Sequence, residues 1–96
     1  MRLDRLLVYL RFARSRSRAD ALIDEGYIRL NGVRVAHASE QVGIGDVLTI
    51  PLGDAIRIVE ILSLPERRGS PALAKSYYRD LDRSGETAIA ANKHDD

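Results

Sequence analysis

A chain of 96 residues makes one small domain, and a domain of that size buries only about 60–65% of its unfolded surface. With 45% hydrophobic and 30% charged residues the chain has the composition of a folded protein, while the absence of cysteine excludes disulfides, thiolate metal sites and cysteine nucleophiles. The formal net charge of +1 conceals a basic first third, because residues 1–36 hold eight arginines against four acids and no lysine.

Leu3, Leu6, Leu7 and Leu10 fall at the i, i+3, i+4, i+7 spacing, which predicts an amphipathic helix over residues 2–12 with Arg2, Arg5 and Tyr9 on its flank. A second stripe, Ala19, Leu22, Ile23 and Gly26, predicts another helix, capped at its start by Ser15 or Ser17 and stopped by Gly26. The stretch RFARSRSRAD between the stripes therefore reads as a helix end, a turn and a helix start. In YIRLNGVRVA, alternating residues flank Asn31-Gly32, a strong hairpin signal. A Gly45-Asp46 turn leads to a strand at Val47–Ile50, and a further strand is expected at Ala55–Leu62. Ser70-Pro71 has the form of a cap and first helical residue. The helix it opens is expected to run from about Pro71 to Leu81, with Leu73, Ala74, Tyr77, Tyr78 and Leu81 on one side. From Asp82 the sequence is polar and unpatterned, so residues 82–96 are expected to be a disordered tail. The expected fold is α+β: two N-terminal helices packed on a small, mostly antiparallel sheet of about four strands, plus a short C-terminal helix, in one domain over residues 1–81.

Two placements suggest that the arginines face an anion. The first turn of a helix carries a partial positive charge that disfavours a cation by about 0.3–1 kcal/mol, and Arg16 and Arg18 stand there. A phosphate at the same place would meet free backbone N–H groups as well as guanidiniums. In the hairpin, a two-residue loop sets Arg29 opposite Arg34, a repulsive pairing that a phosphate backbone would relieve. A solvated face explains Arg2, Arg5 and Arg11 from pattern alone, and Asp4, Asp20, Asp24 and Glu25 offer internal partners. Tyr9 and Phe12 could be platforms for bases, but aromatics beside an apolar stripe are more often core or core edge. His37 and His94 stand alone, and no phosphate loop, paired-carboxylate site or nucleophile elbow occurs. Neither catalysis, a cofactor, a metal nor a small-molecule substrate is expected. Arg2, Asp4, Arg5 and Arg11 interrupt the N-terminal apolar residues, leaving no run for a signal peptide or membrane span, so the expected location is the cytoplasm.

The ordered motifs Arg2-x-Asp4, Arg11-Phe12-x-Arg14-Ser15-Arg16, Gly26, Ile28-x-Leu30-Asn31-Gly32 and Gly45-Asp46 resemble the RNA-binding domain of ribosomal protein S4, the αL motif, over about residues 2–50. Farther on, ERRGSPALAKSYY resembles the segment that follows the last strand in the family of ribosome-associated heat-shock protein 15. The resemblance implies non-catalytic binding of structured RNA, most readily ribosomal RNA, with the large subunit and translation rescue under stress as the specific setting. It places Arg2, Arg5, Arg11, Arg14, Ser15, Arg16, Arg29 and Arg34 at the RNA, with Arg18, Asn31 and Arg67-Arg68 as weaker candidates. Two other roles fit the sequence: a protein-docking module using the Leu73/Tyr77/Leu81 face, or the RNA-targeting half of a split RNA-modifying enzyme.

Overall fold

The computed structural model describes residues 1–81, so the expected tail at 82–96 lies outside the described residues. The leucine stripe forms α1 (Leu3–Tyr9), and the second stripe forms α2 (Arg16–Asp24). The hairpin strands are short, β1 (Arg29–Leu30) and β2 (Val33–Arg34). They precede the longer β3 (Val47–Leu52) and β4 (Ala55–Ile61), a short α3 (Pro71–Lys75) and β5 (Tyr78–Leu81). All five strands join one antiparallel sheet in the order β2-β1-β3-β4-β5.

α1 starts without a capping side chain. Its first backbone donors go instead to the 38–40 loop, Leu3 N–H to Glu40 O at 2.9 Å and Asp4 N–H to Ala38 O at 3.1 Å. The helix ends earlier than the apolar spacing predicts. Arg11 turns into the left-handed region at φ 66°, its N–H reaches Val8 O, and the Phe12 N–H reaches Leu7 O at 2.9 Å. This is the Schellman pattern, with arginine where glycine is usual. The reversal drops Phe12 and Ala13 into the core beside Leu3, Leu6, Leu7, Leu10, Ala19 and Ile23.

Strand alternation sends Leu48, Ile50, Val59 and Ile61 to the same core and leaves Thr49, Pro51 and Ile58 on the far face. The Asn31-Gly32 turn has φ of 52° and 83°, the type I′ form that matches strand twist. It sets Leu30 opposite Val33 and Arg29 opposite Arg34.

The C-terminal segment corrects the sequence reading. The helix ends at Lys75, and Tyr78–Leu81 is a fifth strand, not a continued helix. The i, i+3 spacing of Tyr78 and Leu81 suits a helix, and pairing with the open edge of β4 overrides it. Tyr78 pairs with Ile61 and Leu81 with Ile58, while Arg79–Glu60 and Arg57–Asp80 ion pairs hold the register. Leu73, Tyr77 and Leu81 thus lie on a helix, a turn and a strand, and the single docking face expected for them does not form.

Candidate nucleic-acid interface

The turn between α1 and α2 is organised by Asp4. Its side chain is wholly buried and accepts from Arg2 Nε at 3.1 Å, Arg2 Nη2 at 3.0 Å, Arg16 Nη2 at 2.9 Å and the Arg5 N–H at 2.7 Å. A buried carboxylate is tolerated only when paired and hydrogen-bonded. The Arg2 hydrogen bonds, against the opposing pull of burial and with help from Arg16 and the Arg5 N–H, hold its carboxyl below the usual aspartate range. The same contact raises the Arg2 guanidinium above its ordinary value. Two cations share one anion, and their side chains keep 42% and 56% of their surface exposed. The cluster therefore ties the start of α1 to the start of α2 and presents a net positive charge outward.

Ser15 is the cap of α2, its Oγ accepting from the Arg18 N–H at 3.3 Å, so Ser15 rather than Ser17 fills the role the sequence left between them. Beside it lies an open groove of about 660 Å³ between this helix start and the β3–β4 turn. Arg14, Ser15 and Arg18 form its polar wall, and Leu22, Pro51 and Leu52 contribute apolar surface. Arg14 and Arg18 are both exposed, at a helix end that attracts anions.

Arg5 is exposed on α1. Arg11 is turned aside by its left-handed backbone and donates through Nε to Gly69 O at 2.8 Å, while Arg68 Nε reaches Val8 O at 3.2 Å. These two bonds fasten the 67–69 loop to the end of α1, so each has a structural use. Arg67 is exposed. In the hairpin, Arg29 makes a long contact of 3.4 Å to Gly32 O. The Arg34 guanidinium lies against Gly26, where an added Cβ would press on its Nη2. The φ of 84° explains the glycine after α2, since the flexible guanidinium can move aside. Asn31 is engaged on two sides: its Oδ1 accepts from the Val47 N–H at 2.9 Å and its Nδ2 donates to Asp46 at 3.2 Å. It latches the hairpin to β3.

Among the described residues, Arg5, Arg11, Arg14, Arg18, Arg29 and Arg34 have no carboxylate partner; the acids in this region supply ion pairs only through Asp4. A surface of unneutralised guanidiniums around a helix start and a hairpin is suited to phosphates, which arginine contacts through two parallel N–H donors. In the sequence Asp4 stands only as one of four acids that could pair internally. The signal for its larger role was a lone acid in the first turn of the apolar helix. Phe12 is core: its ring lies 5.0 Å from that of Tyr78, and the Arg57 guanidinium stands 5.4 Å and 5.6 Å from the two ring centres.

The S4 domain family matches residues 1–48. The small ribosomal subunit protein uS4 of Acinetobacter baylyi is 36% identical over 85 residues, which is 86% of this chain and 39% of that protein. The uS4 protein of Nitratidesulfovibrio vulgaris is 39% identical over 75 residues, 74% of this chain and 35% of that protein. The chain thus spans less than two fifths of the length of these curated relatives. A trimeric structure of heat shock protein 15 from Vibrio cholerae superposes with a TM-score of 0.82 at 28% identity, covering 99% of this chain and 91% of that one.

Proposed function

The chain belongs to the S4 domain family and is an S4-type RNA-binding domain, and from that premise we propose that it binds structured ribosomal RNA by its backbone, without catalysing a reaction. One observation carries the reading: six arginines around the α1–α2 turn and the hairpin lack a carboxylate partner among the described residues, while Asp4 fixes the two helix starts that present their neighbours. Paired RNA offers phosphates and 2′-hydroxyls more readily than base edges, so recognition is chiefly of shape. The contact residues in this reading are Arg2, Arg5, Arg14, Ser15, Arg16, Arg18, Arg29 and Arg34. Arg11 and Asn31 contribute through the turn and the hairpin that they hold.

The likeness to heat shock protein 15 over nearly the whole chain supports a finer setting: association with the large ribosomal subunit in the cytoplasm during stress, in rescue of stalled translation. The test is to crosslink the full chain to RNA in cells and sequence what is bound, alongside sedimentation with purified large and small subunits. Enrichment of large-subunit RNA and comigration with large subunits are expected. Enrichment of transfer or messenger RNA would contradict the ribosomal assignment, and no RNA above background would contradict the whole reading.

A further inference from the structure

The face of the sheet turned away from the helices carries an exposed aromatic residue that the α1–α2 turn does not use. Ile28 points into the core, so its neighbours Tyr27 and Arg29 project to the opposite side. Tyr27 is 67% exposed, where tyrosine is ordinarily of intermediate burial. With Gly26, Arg29, Thr49, Pro51 and Ile56 it lines a recess of about 250 Å³. Arg34 stands opposite Arg29 across the hairpin, and neither has a carboxylate partner among the described residues. Pro51 also lines the Arg14/Arg18 groove, so the two hollows lie on either side of the end of β3.

We propose that this recess holds one unstacked nucleotide of the bound RNA, with its base on the Tyr27 ring and the adjoining phosphates on Arg29 and Arg34. The proposal rests on the RNA-binding reading above and adds a substrate class to it: RNA with a bulged or looped-out nucleotide beside a paired stem. A flat apolar ring accepts any base face, and proteins that read single-stranded RNA use aromatic side chains in this way. The cations beside the recess favour this occupant over a neutral protein segment, because neither Arg29 nor Arg34 has a carboxylate partner among the described residues and a phosphate would supply the anion. Because Pro51 borders both hollows, the base site on Tyr27 adjoins the groove at the start of α2.

The chain has no tryptophan, so Tyr27→Trp places a single indole at the site. Its probes are a short RNA hairpin with one bulged adenine and the same hairpin fully paired. Quenching of the indole emission is expected with the bulged RNA and not with the paired one. Tyr27→Ala should weaken binding of the bulged RNA by about 5- to 150-fold, the span of one base–aromatic stack, with paired-RNA affinity and melting temperature unchanged. Equal emission change with both RNAs, or no loss on Tyr27→Ala while the wild type still binds paired RNA, overturns this proposal and leaves the RNA-binding reading standing. Failure of the wild type to bind either RNA overturns both. A Tyr27→Ala protein that changes its sedimentation but not its RNA affinity assigns the face to protein contacts and likewise overturns the proposal.

Discussion

Replacing Asp4 with Asn tests the packing that underlies the interface. The carboxylate is wholly buried and accepts four hydrogen bonds, from Arg2 twice, from Arg16 and from the Arg5 N–H. An amide of the same shape keeps one acceptor and turns an NH₂ toward a guanidinium. Removing one partner of a buried ion pair costs about 3–5 kcal/mol, but Arg2 and Arg16 are 42% and 56% exposed, and water relieves the charges left behind. About 2–3 kcal/mol is therefore expected, nearer the value for hydrogen bonds to a charged group. For a domain of this size each kcal/mol moves Tm by about 4–8 °C, so a thermal melt at neutral pH should show a drop of roughly 8–24 °C. The pH dependence has a definite sign. Because the folded state holds the Asp4 carboxyl below its unfolded value of about 3.9, the unfolded chain binds the proton more readily. The stabilisation is complete above that unfolded value and is lost as pH falls through the lower, folded one. Asp4→Asn should remove this component of the acid destabilisation. A variant melting within about 2 °C of the wild type, well under the shift of one kcal/mol, with the same acid profile would refute the role assigned to Asp4.

Gly26→Ala is expected to destabilise the fold by at least about 1–2 kcal/mol, because alanine must adopt a left-handed backbone and its Cβ displaces the Arg34 guanidinium. A thermal melt measures the first effect, and weaker RNA binding by protein that remains folded measures the second. Arg57→Ala removes a cation held beside the Phe12 and Tyr78 rings and the ion-pair partner of Asp80. A loss of about 1–3 kcal/mol is expected from a partly desolvated cation–π contact and a charged hydrogen bond. Amide exchange should quicken first at Tyr78–Leu81, and unchanged exchange there would show that β5 does not depend on Arg57.

Local chemistry made much of this fold legible. The leucine stripe, the Ser15 cap, the stop at Gly26 and the Arg29–Arg34 register across Asn31-Gly32 all depend on residues close in sequence, and each forms as the spacing implies. The failures were of longer range. Tyr78–Leu81 reads as helix because Tyr78 and Leu81 stand at i and i+3, and only the free edge of β4 makes it a strand. Phe12 lies in the core, as an aromatic beside the apolar stripe suggests, but the tight reversal that takes it there depends on Arg11 adopting a backbone region that nothing in its own chemistry favours. The candidate site shows the same division. The basic character of the helix start was visible in composition, but the attachment of Arg2 and Arg16 to one buried carboxylate needs two helices in contact. That attachment changes which substitutions are clean. Arg16→Ala disturbs the fold as well as any RNA contact, whereas Arg14 and Arg18 are exposed and make no side-chain ion pair among the described residues.

The central claim, that unpaired arginines at the start of α2 receive RNA phosphates, is tested most directly by the salt dependence of RNA affinity for the wild type and for Arg14→Ala/Arg18→Ala. Contacts to about four to six phosphates give a log–log slope of roughly 3–5, and removing two contacts should lower it by about 1.5. The variant should bind more weakly and melt as the wild type does. A flat salt response in the wild type, or an unaltered slope in the variant, would contradict the account.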